Sequence, residues 1–174
     1  MSLAGTVSLR QAYSPERLLD QATLFLHSPV AQLTPENRRT LESLYETDRV
    51  LEGKKVLIVD DDIRNIFALS SILEWRNMVI ASAETGRNAI ALLNAEPDVD
   101  IVLMDIMMPE MDGYETIRAI RQIPRFKQLP IVAVTAKAMK GDREKCIDAG
   151  AWDYLSKPVD PDQLLSVLRA WLHR

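Results

Sequence analysis

Residues that could carry out chemistry follow four of the short apolar runs in this chain. They are Asp60, Asp61 and Asp62 after the first run, Asp105 after the third, Thr135 after the fourth and Lys157 after the fifth. Short unbroken apolar runs are typical of strands that are covered on both faces. Because ligands of open α/β sheets bind outside the carboxyl ends of the strands, we expect these side chains to lie along one edge of a sheet.

Carboxylates that cluster in a crevice predict a bound cation, because they cannot all remain ionised without a counter-charge. Mg²⁺ suits such a site, since it prefers oxygen ligands and keeps several of its waters. A lysine ammonium can hold phosphoryl oxygens, a threonine hydroxyl can donate a hydrogen bond to one of them, and a carboxylate can attack phosphorus. Together these groups predict a site that accepts a phosphoryl group, with catalysis by positioning and charge neutralisation.

The elements that must position these residues can be predicted from the alternation of two patterns after Lys54. Short apolar runs alternate with amphipathic stretches of helical length, and the runs cover residues 56–59, 78–81, 101–104, 131–134 and 152–155. A strand and a helix repeated five times predict an α/β fold, with a doubly wound parallel sheet of five strands and helices on both faces. Roughly 120 residues suit one domain of this kind.

The first part of the chain has a different pattern and is predicted to be an N-terminal helical extension. Residues 1–53 contain no strand-like run, and the sheet domain is predicted to cover residues 54–174. Two helix starts within the extension carry a hydroxyl cap followed by proline and glutamate, at residues 14–16 and at residues 34–36. Gly53 is predicted to end the extension.

One of these helix starts is repeated near the other end of the chain. Residues 14–27 and residues 160–173 share a cap, a proline, a double leucine, an aromatic residue, a leucine and a histidine at the same offsets. Amphipathic helices can resemble one another by chance. The other interpretation is that residues 14–27 form the last helix of a preceding copy of the same domain, which predicts a longer parent protein with tandem domains.

Four separate motifs, taken in their order along the chain, resemble the receiver domain of two-component response regulators. They are Val56-Leu57-Ile58-Val59-Asp60-Asp61-Asp62, Met104-Asp105-Ile106-Met107-Met108-Pro109-Glu110-Met111-Asp112-Gly113, Val134-Thr135-Ala136 and Lys157-Pro158. The resemblance covers the predicted sheet domain, residues 54–174. It implies a flavodoxin-like sheet with the strand order 2-1-3-4-5.

The resemblance also implies roles for the residues that could bind phosphate and metal. Asp105 would be the phosphoacceptor, which takes the phosphoryl group from a kinase histidine, and Lys157 would contact the phosphate. Mg²⁺ would be held by Asp60, Asp61 and Asp105, with the backbone carbonyl of Met107 as a further ligand.

A second set of implied roles concerns a conformational switch. Thr135 would be the switch hydroxyl and Tyr154 the switch aromatic, and the peptide bond between Lys157 and Pro158 would be cis. Phosphorylation would draw Thr135 toward the phosphate and move Tyr154 inward. This movement would remodel the face formed by the fourth helix, the fifth strand and the fifth helix.

Each of these residues also has a structural interpretation. Aspartate is favoured as a helix cap, so Asp62 and Asp112 are expected to cap the helices that follow them. Thr135 alone could be the end of a strand, and Tyr154 could be a partly buried aromatic with its hydroxyl in water. The functional interpretation depends on all of these residues lying together at the carboxyl ends of strands.

A phosphohydrolase of the haloacid dehalogenase type is the alternative from another class. Its signature has aspartates at positions one and three, followed two residues later by threonine or valine. Here Asp60 and Asp62 are followed by Ile63 and Arg64, which breaks the signature, and Asp105 would have no role. The free-standing single-domain response regulator is a further alternative to a receiver within a hybrid sensor histidine kinase.

Composition excludes several broad classes. The 174 residues contain 21 lysines and arginines against 25 aspartates and glutamates, a formal charge of −4, and no long basic run, which argues against nucleic-acid binding. No apolar stretch approaches the roughly 20 residues that cross a bilayer, and the start lacks the pattern of a signal peptide. The single cysteine, Cys146, excludes an internal disulfide and suits a reducing compartment. We therefore expect a cytoplasmic domain without direct membrane contact, within a parent protein that could be attached to a membrane.

The histidine content predicts the partner. His27 and His173 are the only histidines, and both lie far along the chain from Asp60, Asp61 and Asp105. The phosphodonor histidine must therefore come from a histidine kinase or a histidine phosphotransfer domain. The isolated chain is expected to catalyse only its own phosphorylation and dephosphorylation, and to dimerise through the fourth helix, fifth strand and fifth helix or through the N-terminal helices.

Overall fold

The computed structural model describes residues 49–136 and 141–173 of the chain. These residues form five strands and five α-helices, which are β1 (Lys55–Val59), α1 (Ile63–Glu74), β2 (Val79–Ala83), α2 (Gly86–Ala95), β3 (Ile101–Asp105), α3 (Gly113–Gln122), β4 (Ile131–Thr135), α4 (Asp142–Ala149), β5 (Asp153–Ser156) and α5 (Pro161–Leu172), with a short 3-10 helix at Pro124–Phe126. Residues 1–48, and with them both predicted helix starts of the extension and the first half of the repeat, lie outside the described residues.

All five strands run parallel, in the order β2-β1-β3-β4-β5. This confirms the predicted doubly wound sheet and its strand order. β3 and β4 are buried along their whole length, as their unbroken apolar sequences predicted. The order of the strands reverses between β1 and β3, which opens a crevice at the carboxyl ends of these two strands.

Helices cover both faces of the sheet and form two hydrophobic cores. One core joins α2, α3 and α4 to the side of the sheet that includes Leu57, Val102 and Ala133. The other core joins α1 and α5 to the opposite side, which includes Ile58 and Leu103. Neighbouring residues of a strand point to opposite faces, so each central strand contributes side chains to both cores. Close packing on both faces fixes the position of the sheet, and with it the positions of the residues at its carboxyl edge.

Aspartates begin three of the helices. Asp62 accepts a hydrogen bond from the backbone N–H of Arg64, and Asp160 accepts one from the N–H of Gln163. Asp112 forms a full capping box with Glu115. The expected capping roles of Asp62 and Asp112 are confirmed. The pKa of Asp62 is lowered to about 2, mainly by the side-chain and backbone hydrogen bonds from Arg64.

Apolar packing continues upstream of the first strand. Leu51 is fully buried and belongs to the core beneath α1 and α5. Gly53 adopts a left-handed conformation, with φ of 71°, and its N–H donates to the carbonyl of Asn77 at 2.9 Å. This turn anchors the residues before β1 to the loop between α1 and β2. The predicted domain limit at residue 54 stays a prediction, while the hydrophobic core beneath α1 and α5 includes Leu51.

Candidate functional site

Two buried carboxylates lie at the crevice between β1 and β3. Asp60 directly follows β1 and Asp105 is the last residue of β3, and each is 2% exposed. Val59 pairs with Met104 across the two strands. The residues that follow them, Asp60 and Asp105, are therefore neighbours. Parallel pairing in this register therefore brings together two acidic residues that are separated by 45 positions in sequence.

Lys157 connects the two buried carboxylates. Its Nζ donates to Asp60 Oδ2 at 2.7 Å and to Asp105 Oδ2 at 2.8 Å. The lysine follows β5, and its backbone N–H donates to the carbonyl of Thr135 at 2.7 Å. That bond ties the segment after β5 to the end of β4, so that the long side chain reaches the crevice. The peptide bond between Lys157 and Pro158 is cis, as the resemblance implied.

The ammonium of Lys157 is stabilised in its charged form. Burial by itself lowers the pKa of Lys157, but the hydrogen bonds to Asp105 and then to Asp60 outweigh burial and raise the pKa above its ordinary value. One positive charge therefore faces two buried carboxylates. The formal charge of these three groups is −1, which leaves the crevice attractive to a further cation.

Asp61 adds a third carboxylate at the rim of the crevice. One oxygen from each of Asp60, Asp61 and Asp105 lies within 4.8 Å of the others, and we call these three residues the acidic cluster. With Lys157 included, the formal charge is −2. Oxygen ligands and this charge fit Mg²⁺, which commonly binds through one or two carboxylates and retained waters. Asp62 is not part of this cluster, and its carboxylate pairs with Arg64.

The loop after β3 closes against the acidic cluster. The backbone N–H of Met107 donates to Asp105 Oδ1 at 3.1 Å, so both oxygens of Asp105 have a donor. The Met107 side chain is 51% exposed. Gly113, at the end of this loop, lies so close to Asp105 that an added Cβ would be 2.3 Å from the Asp105 backbone oxygen. Only glycine allows this approach of α3 to the end of β3.

The two predicted switch residues lie on the neighbouring strands β4 and β5. Thr135 is the last residue of β4, is 1% exposed and pairs with Ser156. Tyr154 pairs with Ala133, two positions nearer the other end of the strands, and it is partly buried. The guanidinium of Arg143, on α4, lies 5.9 Å from the centre of the Tyr154 ring. Tyr154 therefore links β5 to α4.

One residue of the site was missed by the sequence analysis. The side-chain amide of Asn65, in the first turn of α1, donates to Asp60 Oδ1 at 3.0 Å. A helix that starts directly after the carboxyl end of a strand must bring its first turn over the same edge of the sheet. This placement was the available signal, but a single asparagine in an amphipathic helix gives no periodic pattern to mark it.

Residues 56–169 match the family model described as the response regulator receiver domain. The match covers well over half of the chain and includes the acidic cluster, Thr135, Tyr154 and Lys157. The chain belongs to this family. It is a receiver domain of a two-component phosphorelay, and the fold described above is that of a receiver.

The relatives of this receiver include sensor kinases. The chain is 34% identical over 160 residues to the signal transduction histidine-protein kinase BarA of Escherichia coli strain K12. That alignment covers 92% of the chain but only 16% of BarA, so the chain spans about a sixth of the length of this relative.

Solved structures of receivers share this fold. The receiver domain of the sensor histidine kinase PA1611 from Pseudomonas aeruginosa, which has a magnesium ion coordinated in its active site cleft, is 33% identical, with a TM-score of 0.65 over 70% of this chain and 99% of that one. A co-crystal structure of the Saccharomyces cerevisiae histidine phosphotransfer protein Ypd1 and the receiver domain of Ssk1 gives 27% identity and a TM-score of 0.65, over 70% and 90% of the two chains. Among the described residues of our chain, every helix is too short or too polar to cross a membrane.

Proposed function

We propose that Asp105 accepts a phosphoryl group from a phosphohistidine of a histidine kinase or a histidine phosphotransfer domain. An oxygen of the Asp105 carboxylate attacks phosphorus, the P–O bond forms, and the P–N bond to the donor imidazole breaks. The electron pair of that bond stays on the imidazole nitrogen, which takes a proton from water. The observation that carries this proposal is the buried Asp105 carboxylate beside the Lys157 ammonium at 2.8 Å.

The other residues of the site would neutralise and hold the phosphoryl group. Lys157 would contact its oxygens, and the hydroxyl of Thr135 would donate to one of them. Asp60, Asp61 and Asp105 would hold Mg²⁺, together with the backbone carbonyl of Met107. When bound, the ion supplies positive charge to the crevice during transfer. The acidic cluster supports this assignment through its three carboxylates within 4.8 Å and its net negative charge.

Acetyl phosphate tests the proposed function without a protein donor. Incubated with acetyl phosphate and Mg²⁺, the chain should gain a single phosphoryl group, measured by intact mass spectrometry, and should not gain it when a chelator removes the metal. Continuous release of phosphate without a phosphorylated chain would instead match the haloacid dehalogenase alternative, which the family match does not favour. No phosphorylation at all would refute the proposal.

We further propose that Thr135 couples phosphorylation to Tyr154 and to the face formed by α4, β5 and α5. Thr135 and Tyr154 stand on adjacent strands, and Tyr154 already contacts α4 through Arg143. In Thr135→Ala, the phosphorylated chain should lose the change in amide hydrogen exchange that wild-type phosphorylation causes in β5 and α4, because the hydroxyl that follows the phosphate is gone. An unchanged difference between the two phosphorylation states would contradict the coupling.

The same face would carry the predicted homodimer, which light scattering before and after phosphorylation measures.

A surface beside the acidic cluster suits the partner that carries the histidine. Ile63 and Phe67 are 67% and 75% exposed and lie four residues apart on one face of α1. The exposed Met107 follows Asp105 in the loop after β3. Contiguous exposed apolar side chains mark interaction sites. Ile63 lies two residues after Asp61 of the acidic cluster, and Met107 lies two residues after Asp105, so we assign this apolar surface to the histidine-bearing partner.

The prediction from this surface separates docking from chemistry. The donor is a phosphorylated histidine phosphotransfer protein that phosphorylates the wild-type chain. Replacing Ile63 and Phe67 by serine should slow transfer from this donor by about tenfold or more, because buried apolar anchors dominate such interfaces. The rate with acetyl phosphate should stay within about twofold. Trp75→Ser is the matched control, since Trp75 is 68% exposed at the opposite end of α1. Equal slowing by the control, or no slowing by the double variant, would contradict the assignment.

The parent protein is proposed to be a hybrid sensor histidine kinase. The BarA alignment covers 160 residues, which is more than the 121 residues from 54 to 174, so it includes part of the chain before residue 54. A free-standing receiver relative would not be expected to continue into that region. The native reading frame upstream of this chain should therefore encode a histidine kinase domain, including the histidine that becomes phosphorylated. A native reading frame without a kinase domain would contradict this origin.

A further inference from the structure

Three consecutive aspartates in this chain have three different surroundings. Asp60 is buried and accepts three hydrogen bonds, Asp61 is exposed, and Asp62 caps α1 and pairs with Arg64. Sequence neighbours of one type thus become a restrained carboxylate, an exposed carboxylate and a helix cap. The restraint on Asp60 comes partly from Asn65. Asn65 is not one of the residues proposed above to contact the phosphate or to bind the metal.

The hydrogen bonds of Asp60 divide between its two oxygens. Oδ1 accepts from the backbone N–H of Asp62 at 2.9 Å and from Asn65 Nδ2 at 3.0 Å. Oδ2 accepts from Lys157 Nζ at 2.7 Å. The amide of Asn65 must present its NH₂ to Asp60, because its carbonyl oxygen would face a carboxylate oxygen and repel it. With two donors on Oδ1, rotation of the carboxylate would break two bonds at once.

We propose that Asn65 is a positioning residue that fixes the carboxylate of Asp60, so that Oδ2 faces Lys157 and the crevice where Mg²⁺ and the phosphoryl group bind. The inference rests on the proposed function, because it assigns Asn65 to the same site. The side chain of Asn65 donates to Asp60, and among the described residues its hydrogen bonds reach neither Asp105 nor Lys157, so it acts through Asp60. A hydrogen bond that orients a metal ligand typically changes metal affinity about 10–100-fold when it is lost.

The geometry explains why a second donor is needed at this position. Asp60 lies just after β1, and its backbone N–H donates to the carbonyl of Ala83 at 3.2 Å, but a backbone bond of this kind does not orient the side chain. Without Asn65, Oδ1 would keep a single donor, the N–H of Asp62. Asn65 projects from the first turn of α1, whose start is itself fixed by the Asp62 cap. The amide therefore transfers the rigidity of the capped helix to the carboxylate.

Calorimetric titration of the unphosphorylated chain with Mg²⁺ tests the proposal directly. Asn65→Ala should weaken Mg²⁺ binding about tenfold, while Asn65→Gln, which keeps the amide on a longer side chain, should recover part of the loss. Asn88→Ala, the same replacement at an exposed asparagine of α2, should leave the affinity within about twofold of wild type. The unfolding midpoint of Asn65→Ala without Mg²⁺ should fall, because buried Asp60 loses one of its donors, but it should stay above the titration temperature, so that the affinity is measured on folded chain.

A pair of variants shows whether Asn65 works through Asp60. In an Asp60→Asn background, Asn65→Ala should cause no further loss of Mg²⁺ affinity, since coupled residues are not additive. Full additivity would overturn the proposal, and so would an Asn65→Ala variant with wild-type Mg²⁺ affinity, or one that loses affinity only by unfolding. The titration stays informative even if acetyl phosphate fails to label the wild-type chain, so failure of the proposed function and failure of this inference are separate results.

Discussion

Asp105→Asn should abolish phosphorylation of this chain by acetyl phosphate, with a rate at least about 1,000-fold lower, equivalent to about 4 kcal/mol of barrier. The amide has the size of the carboxylate but lacks the anionic oxygen that attacks phosphorus. Its single carbonyl oxygen can accept from Lys157 or from Met107 but not from both, because these donors bond to different oxygens of Asp105. Since the size of the side chain is kept, the fold should persist. Intact mass spectrometry measures the phosphorylated fraction over time.

The control for this experiment is Asp162→Asn, an exposed aspartate in the first turn of α5. It should be phosphorylated at the wild-type rate, because Asp162 lies outside the acidic cluster. Wild-type labelling of Asp105→Asn would show that another residue attacks phosphorus. Labelling on Asp60 would then favour the haloacid dehalogenase alternative, in which the aspartate after the first strand is the nucleophile.

Lys157→Met should produce effects of opposite sign on stability and on metal binding. Without Mg²⁺, the free energy of unfolding should fall by about 3 kcal/mol, because Asp60 and Asp105 would remain buried without their counter-charge. Mg²⁺ should bind more tightly to the variant than to wild type, since the competing ammonium is gone. The increase in stability on adding Mg²⁺ should therefore be larger in the variant.

Phosphorylation of Lys157→Met should nevertheless be slow, by about 100-fold, because the ammonium that holds the phosphoryl oxygens is missing. Urea denaturation with and without Mg²⁺ and the rate with acetyl phosphate measure the three effects. Lys127→Met, at an exposed position, is the control and should change none of them appreciably. Loss of stability together with weaker Mg²⁺ binding would contradict the balance of charges described for this crevice.

Local sequence patterns predicted the elements well because the forces behind them are local or periodic. The unbroken apolar runs predicted β3 and β4, whose residues are buried along the whole strand. Asp62 and Asp112 were predicted as caps because a cap depends on residues only two or three positions away. The ends of the elements were predicted less well: the second strand covers Val79–Ala83, whereas the apolar run that predicted it covers residues 78–81.

Leu51 shows the limit of pattern analysis for domain boundaries. The sequence pattern changes at residue 54, one residue before the first strand begins, but Leu51 is fully buried in the core under α1 and α5. A single leucine in a helical stretch carries no periodic sign of the sheet domain. Only the turn at Gly53, with its bond to Asn77, brings the leucine under the sheet.

The sequence alone determined which kinds of group this protein has and which strand each one follows, because side-chain type and strand order are both written along the chain. It therefore indicated the receiver family and the residues to test. Tertiary structure decided which groups share a hydrogen bond: Lys157 with two aspartates 97 and 52 residues away, and Asn65 with Asp60 instead of Asp62. Such pairings depend on strand register and side-chain rotamers across distant segments, which no local pattern encodes.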